Sequence, residues 1–140
     1  MPSEEGPRAT VKLIEYAEAS AEVRAVYDDI MATRKTDRVN NFWKALAGHP
    51  PTLRRTWESV KQVMVPGALD PLTKEMVYLA VSATNGCDYC IASHTASARK
   101  AGMTNEMLGE LMAVVGMANE TNRLVNGYQV EIDEMFRTPA

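Results

Sequence analysis

Cysteine, histidine and phenylalanine are scarce in this 140-residue chain, at two residues each. Two cysteines are too few for the disulfide framework that holds small secreted domains together. No apolar run approaches the roughly 18 residues of a membrane-spanning helix, so no membrane partner is expected. The start, Met1-Pro2-Ser3-Glu4-Glu5-Gly6-Pro7, lacks the basic and apolar regions of a secretory signal, which makes the cytoplasm the expected location. Positive charge is not in excess either. Fifteen Lys and Arg face 18 Asp and Glu, for a net charge of −3. The two signs are interspersed, so there is no basic stripe for a nucleic-acid partner. Runs of alternating apolar and polar residues are missing, as are internal repeats, low-complexity tracts and an interdomain linker. The expectation is one domain over residues 1–140, with residues 1–10, polar and carrying Pro2 and Pro7, as a loose tail.

What is present is helical periodicity. Val23, Val26, Tyr27, Ile30 and Met31 recur at helix spacing behind Ser20, a good N-cap. A second helix is predicted over about Asn41–Ala47, stopping at Gly48-His49-Pro50-Pro51, and a third from Pro51 to about Val65. Asp70-Pro71 is a strong start signal, an N-cap acid followed by proline at the first helical position. The helix it opens, to about Thr84, is apolar on nearly every side and so reads as buried all round. Asn85-Gly86 ends it. Further helices follow over about Cys87–Ala101, over Asn105 to about Glu120 behind the Thr104 cap, and over roughly Thr121–Phe136. The fold class is all-α, a small bundle of about six helices. Trp43 and Trp57 read as core. Asp28-Asp29 and the run Arg34-Lys35-Thr36-Asp37-Arg38 read as solvated surface, and the methionines as flexible core or interface filling.

The candidate chemistry lies at Cys87, Cys90 and His94. Each residue turns a helix by about 100 degrees, which places these three within about 60 degrees on one face. Two thiols one turn apart can form a disulfide with little backbone movement. Free N–H groups at the helix start favour a thiolate there, which points to Cys87. His94 lies four residues after Cys90, the spacing at which helix side chains touch, which points to Cys90 as the thiol a base would serve. That adjacency is preferred, because a specific base also supplies a proton route. Glu75 is the odd residue on the preceding helix. It is eleven residues before Gly86, and His94 is eight after it. In an antiparallel hairpin the two therefore lie roughly 16 and 12 Å from the turn, near one level. A carboxylate beside an imidazole orients the ring and strengthens it as a base.

The stretch from Glu75 to His94 closely resembles the core of the alkylhydroperoxidase-D-like (AhpD-like) branch of the carboxymuconolactone decarboxylase family. That branch carries a glutamate, eleven intervening residues, CxxC, three residues and a histidine. Glu75, Cys87, Cys90 and His94 match all four positions. The resemblance is strongest over residues 69–103 and continues more weakly through Leu46-Ala47-Gly48-His49-Pro50 and the last helices. It implies the family's small helical bundle, assembled as a homo-trimer or homo-hexamer. The activity implied is thiol-dependent reduction of hydroperoxides, with a hydroperoxide substrate, a dithiol or protein reductant and no cofactor. By the same resemblance Cys90 attacks the peroxide, Cys87 resolves the sulfenic acid to a disulfide, and His94 with Glu75 relays the proton.

Plainer readings compete. CxxCxxxH could bind zinc with Glu75 or His49 as fourth ligand, but structural sites usually draw ligands from two separated knuckles, and no metal is expected. A c-type haem needs histidine directly after the second cysteine, where Ile91 stands. A thioredoxin-like fold needs strands. One cysteine or histidine on an apolar helix face is ordinarily core, whereas four residues at matching positions are not. A non-enzymatic redox-responsive or zinc-binding helical oligomer stays as the alternative class. Lactone decarboxylases of the same family generally lack the CxxC, so its presence argues against decarboxylation.

Overall fold

The computed structural model of the chain describes residues 10–137; the tail expected over residues 1–10 lies, Thr10 apart, outside them. The elements, in order, are a 3-10 helix at Tyr16–Glu18, then α1 (Ala21–Arg34), α2 (Asn41–Leu46), α3 (Pro50–Met64), α4 (Pro71–Asn85), α5 (Asp88–Lys100) and α6 (Asn105–Gly127), and a closing 3-10 helix at Glu134–Phe136. No strand occurs among the described residues, so the architecture is all-α as expected. The chain divides into two compact units between Val65 and Pro66.

In the first unit, Ser20 accepts the Val23 N–H at 3.2 Å and starts α1 as its sequence position suggested. Val23, Val26, Tyr27 and Ile30 of α1 close a core with Trp43 of α2 and Leu53 and Trp57 of α3. The two indoles meet edge to face, with ring centroids 5.5 Å apart. The Tyr27 hydroxyl donates to the Ile14 carbonyl at 2.8 Å, which ties the segment before α1 to this core. Two charged groups taken as solvated surface are instead bound to it. Asp29 accepts hydrogen bonds from Trp57 Nε1 and from Lys61 Nζ, each at 2.7 Å. The Arg34 guanidinium lies over both indoles, 5.6 Å from the Trp43 ring and 5.4 Å from the Trp57 ring. A buried indole N–H needs an acceptor, and an indole face attracts a cation. That explains both departures.

The second unit is built on α4. Asp70 caps it by accepting the Thr73 N–H at 2.8 Å, with Pro71 at the first helical position. Leu79 of α4, Ala98 of α5 and Met103 form its centre, surrounded by Leu72, Met76, Ile91, Met107, Leu108 and others. Here the structure corrects two expectations. First, α4 is not buried all round: of its own residues only Leu79 and Ser82 are buried, while Val77 and Val81 are 53% and 54% exposed. In this unit α4 packs against α5 and α6, and two neighbours cannot cover a whole helix surface. Second, there is no break near Glu120. One helix runs from Asn105 to Gly127, and inside it the Thr121 hydroxyl donates back to the Ala118 carbonyl at 3.2 Å. The chain leaves α6 through Gln129, at φ 50, with the Val130 N–H bonded to the Val125 carbonyl at 3.1 Å. This is a helix-terminating arrangement, so the helix expected to reach Phe136 stops nine residues short of it. Among the described residues no helix is long and apolar enough to cross a membrane.

Candidate active site

The site is made by the turn between α4 and α5. Gly86 takes a left-handed conformation, φ 70, at the end of α4. A Cβ at this position would meet no atom within 4 Å, so the requirement for glycine is backbone conformation and not space. The Cys87 N–H then bonds to the Ser82 carbonyl at 3.0 Å, which closes the helix end. Cys87 is already the N-cap of α5, so the reversal takes only two residues and lays α5 back along α4.

This turn places both cysteines. Cys87, in extended backbone, points its Sγ back at the helix it precedes and accepts the Cys90 N–H at 3.3 Å. Cys87 and Cys90 are joined as a disulfide, with their Cα atoms 5.3 Å apart. One free N–H of the first helical turn is thereby aimed at a sulfur, the arrangement that favours thiolate when the bond is reduced.

One turn further along α5, the hairpin brings in the two remaining residues. His94 Nδ1 lies 2.7 Å from Glu75 Oε2, and each side chain is only 18% exposed. An ionised carboxylate can only accept, so with Glu75 in that form Nδ1 is the donor. The structure thus brings together the members of both pairs singled out in the sequence, Cys87 with Cys90 and Glu75 with His94. His49, considered as a zinc ligand, has its Nδ1 2.7 Å from the Thr52 hydroxyl at the start of α3. Among the described residues no group of three His, Cys, Asp or Glu side chains is arranged to hold a metal ion. One side chain at the site escaped the sequence reading. The Tyr78 ring stacks on His94, with centroids 3.7 Å apart and planes 22° from parallel. Its position three residues after Glu75 was the available signal, since residues so spaced share a helix face.

A helical hairpin that presents a CxxC at a helix start and a carboxylate–imidazole pair one turn later defines a class of small all-α dithiol proteins. The chain belongs to the carboxymuconolactone decarboxylase family, which matches residues 51–130, and within it to the AhpD-like members. A crystal structure of an alkylhydroperoxidase AhpD core from Rhodospirillum rubrum superposes with a TM-score of 0.91, at 54% identity, covering 95% of this chain and all of that one. An uncharacterised protein of the cox locus of Paracoccus denitrificans is 41% identical over 54 residues, which is 39% of this chain and 49% of that protein. The alkyl hydroperoxide reductase AhpD of Rhodococcus erythropolis is 35% identical over 71 residues, 46% of this chain and 39% of that protein. The chain therefore spans about half of the Paracoccus protein and less of the Rhodococcus one.

Proposed function

We propose that this protein is a thiol-dependent peroxidase of the alkylhydroperoxidase type, working through a Cys87–Cys90 dithiol and disulfide. The observation that carries this reading is the Glu75–His94 hydrogen bond, 2.7 Å long and largely shielded from water, on the helix that begins at the CxxC. A disulfide alone would serve a structural purpose. A base held by a carboxylate one turn from it serves proton transfer.

In this mechanism His94 Nε2 takes the proton of the Cys90 thiol. The thiolate attacks the terminal oxygen of the hydroperoxide, an S–O bond forms and the O–O bond breaks. Cys90 becomes a sulfenic acid, and the departing alkoxide takes the proton from His94 to leave as the alcohol. Cys87 then attacks the Cys90 sulfur, the S–O bond breaks, and water leaves with the Cys87 proton. The disulfide is the oxidised product, and a dithiol reductant returns two electrons and two protons. Cys87 is suited to the resolving role, because its sulfur reaches that of Cys90 within the same helical turn. His94 is suited to serve Cys90 by their four-residue spacing.

The working form in this proposal is a homo-trimer or a homo-hexamer built from trimers. Apolar side chains left exposed on α4 (Val77, Val81) and α6 (Val114, Met117, Leu124, Val125) support association through these helices. The deciding experiment is hydroperoxide consumption with a dithiol reductant, wild type against Cys90→Ser. Consumption by the wild type and its loss in the variant support the proposal. Equal consumption by both, or none by either, overturns it.

A further inference from the structure

We propose that Tyr78 is a positioning residue for His94, its ring fixing the plane and the tautomer in which the imidazole meets Glu75. This deepens the reading of His94 as the base for the dithiol and rests on it.

The argument begins with the freedom of an imidazole. One hydrogen bond from Nδ1 to a carboxylate sets a distance, but the ring can still tilt about the Nδ1···O line, or flip and offer Nε2 instead. A second contact on the ring face removes that freedom. Glu75 and Tyr78 lie three residues apart on α4, so their side chains leave the same face of that helix. They reach the one imidazole from different directions. Glu75 holds the ring edge at 2.7 Å, and Tyr78 covers the ring face at a centroid distance of 3.7 Å. Ordinary core packing does not account for Tyr78, because it is 37% exposed while its neighbour Leu79 is wholly buried.

The stacking geometry carries a second implication. Two neutral aromatic rings prefer offset or edge-to-face arrangements, with centroids roughly 4.5–7 Å apart. A nearly parallel overlap at 3.7 Å is closer than that range. It suits a ring that becomes cationic, since the electron-rich tyrosine face attracts the charge of an imidazolium. The stack can therefore hold the His94 ring in place through the proton transfer as well as before it. Both effects come from the ring and not from the phenol hydroxyl, which separates two substitutions cleanly.

The test uses the full-length reduced protein labelled with 15N at histidine, comparing wild type, Tyr78→Phe and Tyr78→Leu, each checked for unchanged helical content. Long-range 1H–15N spectra read the tautomer of His94, its signals being told from those of His49 by their loss in His94→Ala. The expected result is protonated Nδ1 and bare Nε2 in wild type and Tyr78→Phe, and a mixture of tautomers in Tyr78→Leu. Alkylation of Cys90 at neutral pH should slow roughly three- to tenfold in Tyr78→Leu, as loss of a partly buried stacking contact implies, and stay near wild type in Tyr78→Phe. A folded Tyr78→Leu protein with the wild-type tautomer overturns the proposal, as does a Tyr78→Phe protein that behaves like Tyr78→Leu. If Tyr78→Leu changes the tautomer while even His94→Ala leaves alkylation unchanged, the positioning role stands and the assignment of His94 as the base fails.

Discussion

The charge on Glu75 should matter to the dithiol through His94, and its size can be worked from the geometry. Glu75 Oε2 and His94 Nδ1 are 2.7 Å apart in side chains that are each 18% exposed. Solvent screening is therefore limited, though not absent. Glu75→Gln keeps an acceptor for the Nδ1 proton and removes only the charge. A hydrogen bond to a charged group contributes about 1.5–3 kcal/mol net, against about 0.5–1.5 for a neutral one. The substitution should thus cost about 1–1.5 kcal/mol of the stabilisation given to the imidazolium. At about 1.4 kcal/mol per decade, the reaction of Cys90 with peroxide or an alkylating agent should slow roughly five- to tenfold at neutral pH. His94→Ala removes the base itself and should cost more, about 10²–10⁴-fold. Both losses should shrink as pH rises, because hydroxide generates the thiolate without help. The assay is stopped-flow consumption of the Cys90 thiol across pH, for wild type and the two variants. If the Glu75→Gln loss persists undiminished at high pH, the residue supports structure and not proton transfer. If Glu75→Gln matches wild type at every pH, the carboxylate has no part in the relay.

Four further outcomes are expected. Cys87→Ser should still react once with peroxide, giving a sulfenic acid that dimedone traps, while turnover with reductant stops; trapping on residue 87 in Cys90→Ser at the wild-type rate would exchange the two roles. Sedimentation at micromolar concentration should show a trimer or hexamer, and a stable monomer would refute the assembly. Leu79→Ala, at a wholly buried centre of the second unit, should destabilise the protein by about 2–5 kcal/mol in urea denaturation. Asp29 is held below its ordinary value of 3.8, chiefly by the Lys61 hydrogen bond and then by that of the Trp57 indole. A lowered folded value means its contribution is fully present above the ordinary value and is lost as pH falls through the lowered one. Comparison of wild type with Asp29→Asn should show this as extra acid sensitivity of no more than about 1 kcal/mol, because a carboxylate 43% exposed is screened.

The local features of this protein were legible without coordinates, because they depend on residues close in sequence. Ser20, Asp70 and Thr104 each cap the helix they precede, and Gly86 takes the left-handed turn its position called for. The match of Glu75, Cys87, Cys90 and His94 to one motif was equally local, and hairpin arithmetic already placed Glu75 near the level of His94. Tertiary packing decided what spacing cannot express. A break near Glu120 is expected from the sequence, yet α6 runs on to Gly127. Asp29 and Arg34 looked like solvated charges until α3 brought Trp57 beneath them, since a charge on a helix face carries no sign of what the neighbouring helix presents. The apolar surface of α4 predicted burial on every side, but hydrophobicity states only that a surface favours cover and not what supplies it, and within its unit Val77 and Val81 remain exposed. Tyr78 is the sharpest case. Its spacing from Glu75 put it on the same helix face, but spacing does not say what lies against that face, and its part at the site comes from the 3.7 Å stack on His94, a contact made only when the hairpin closes.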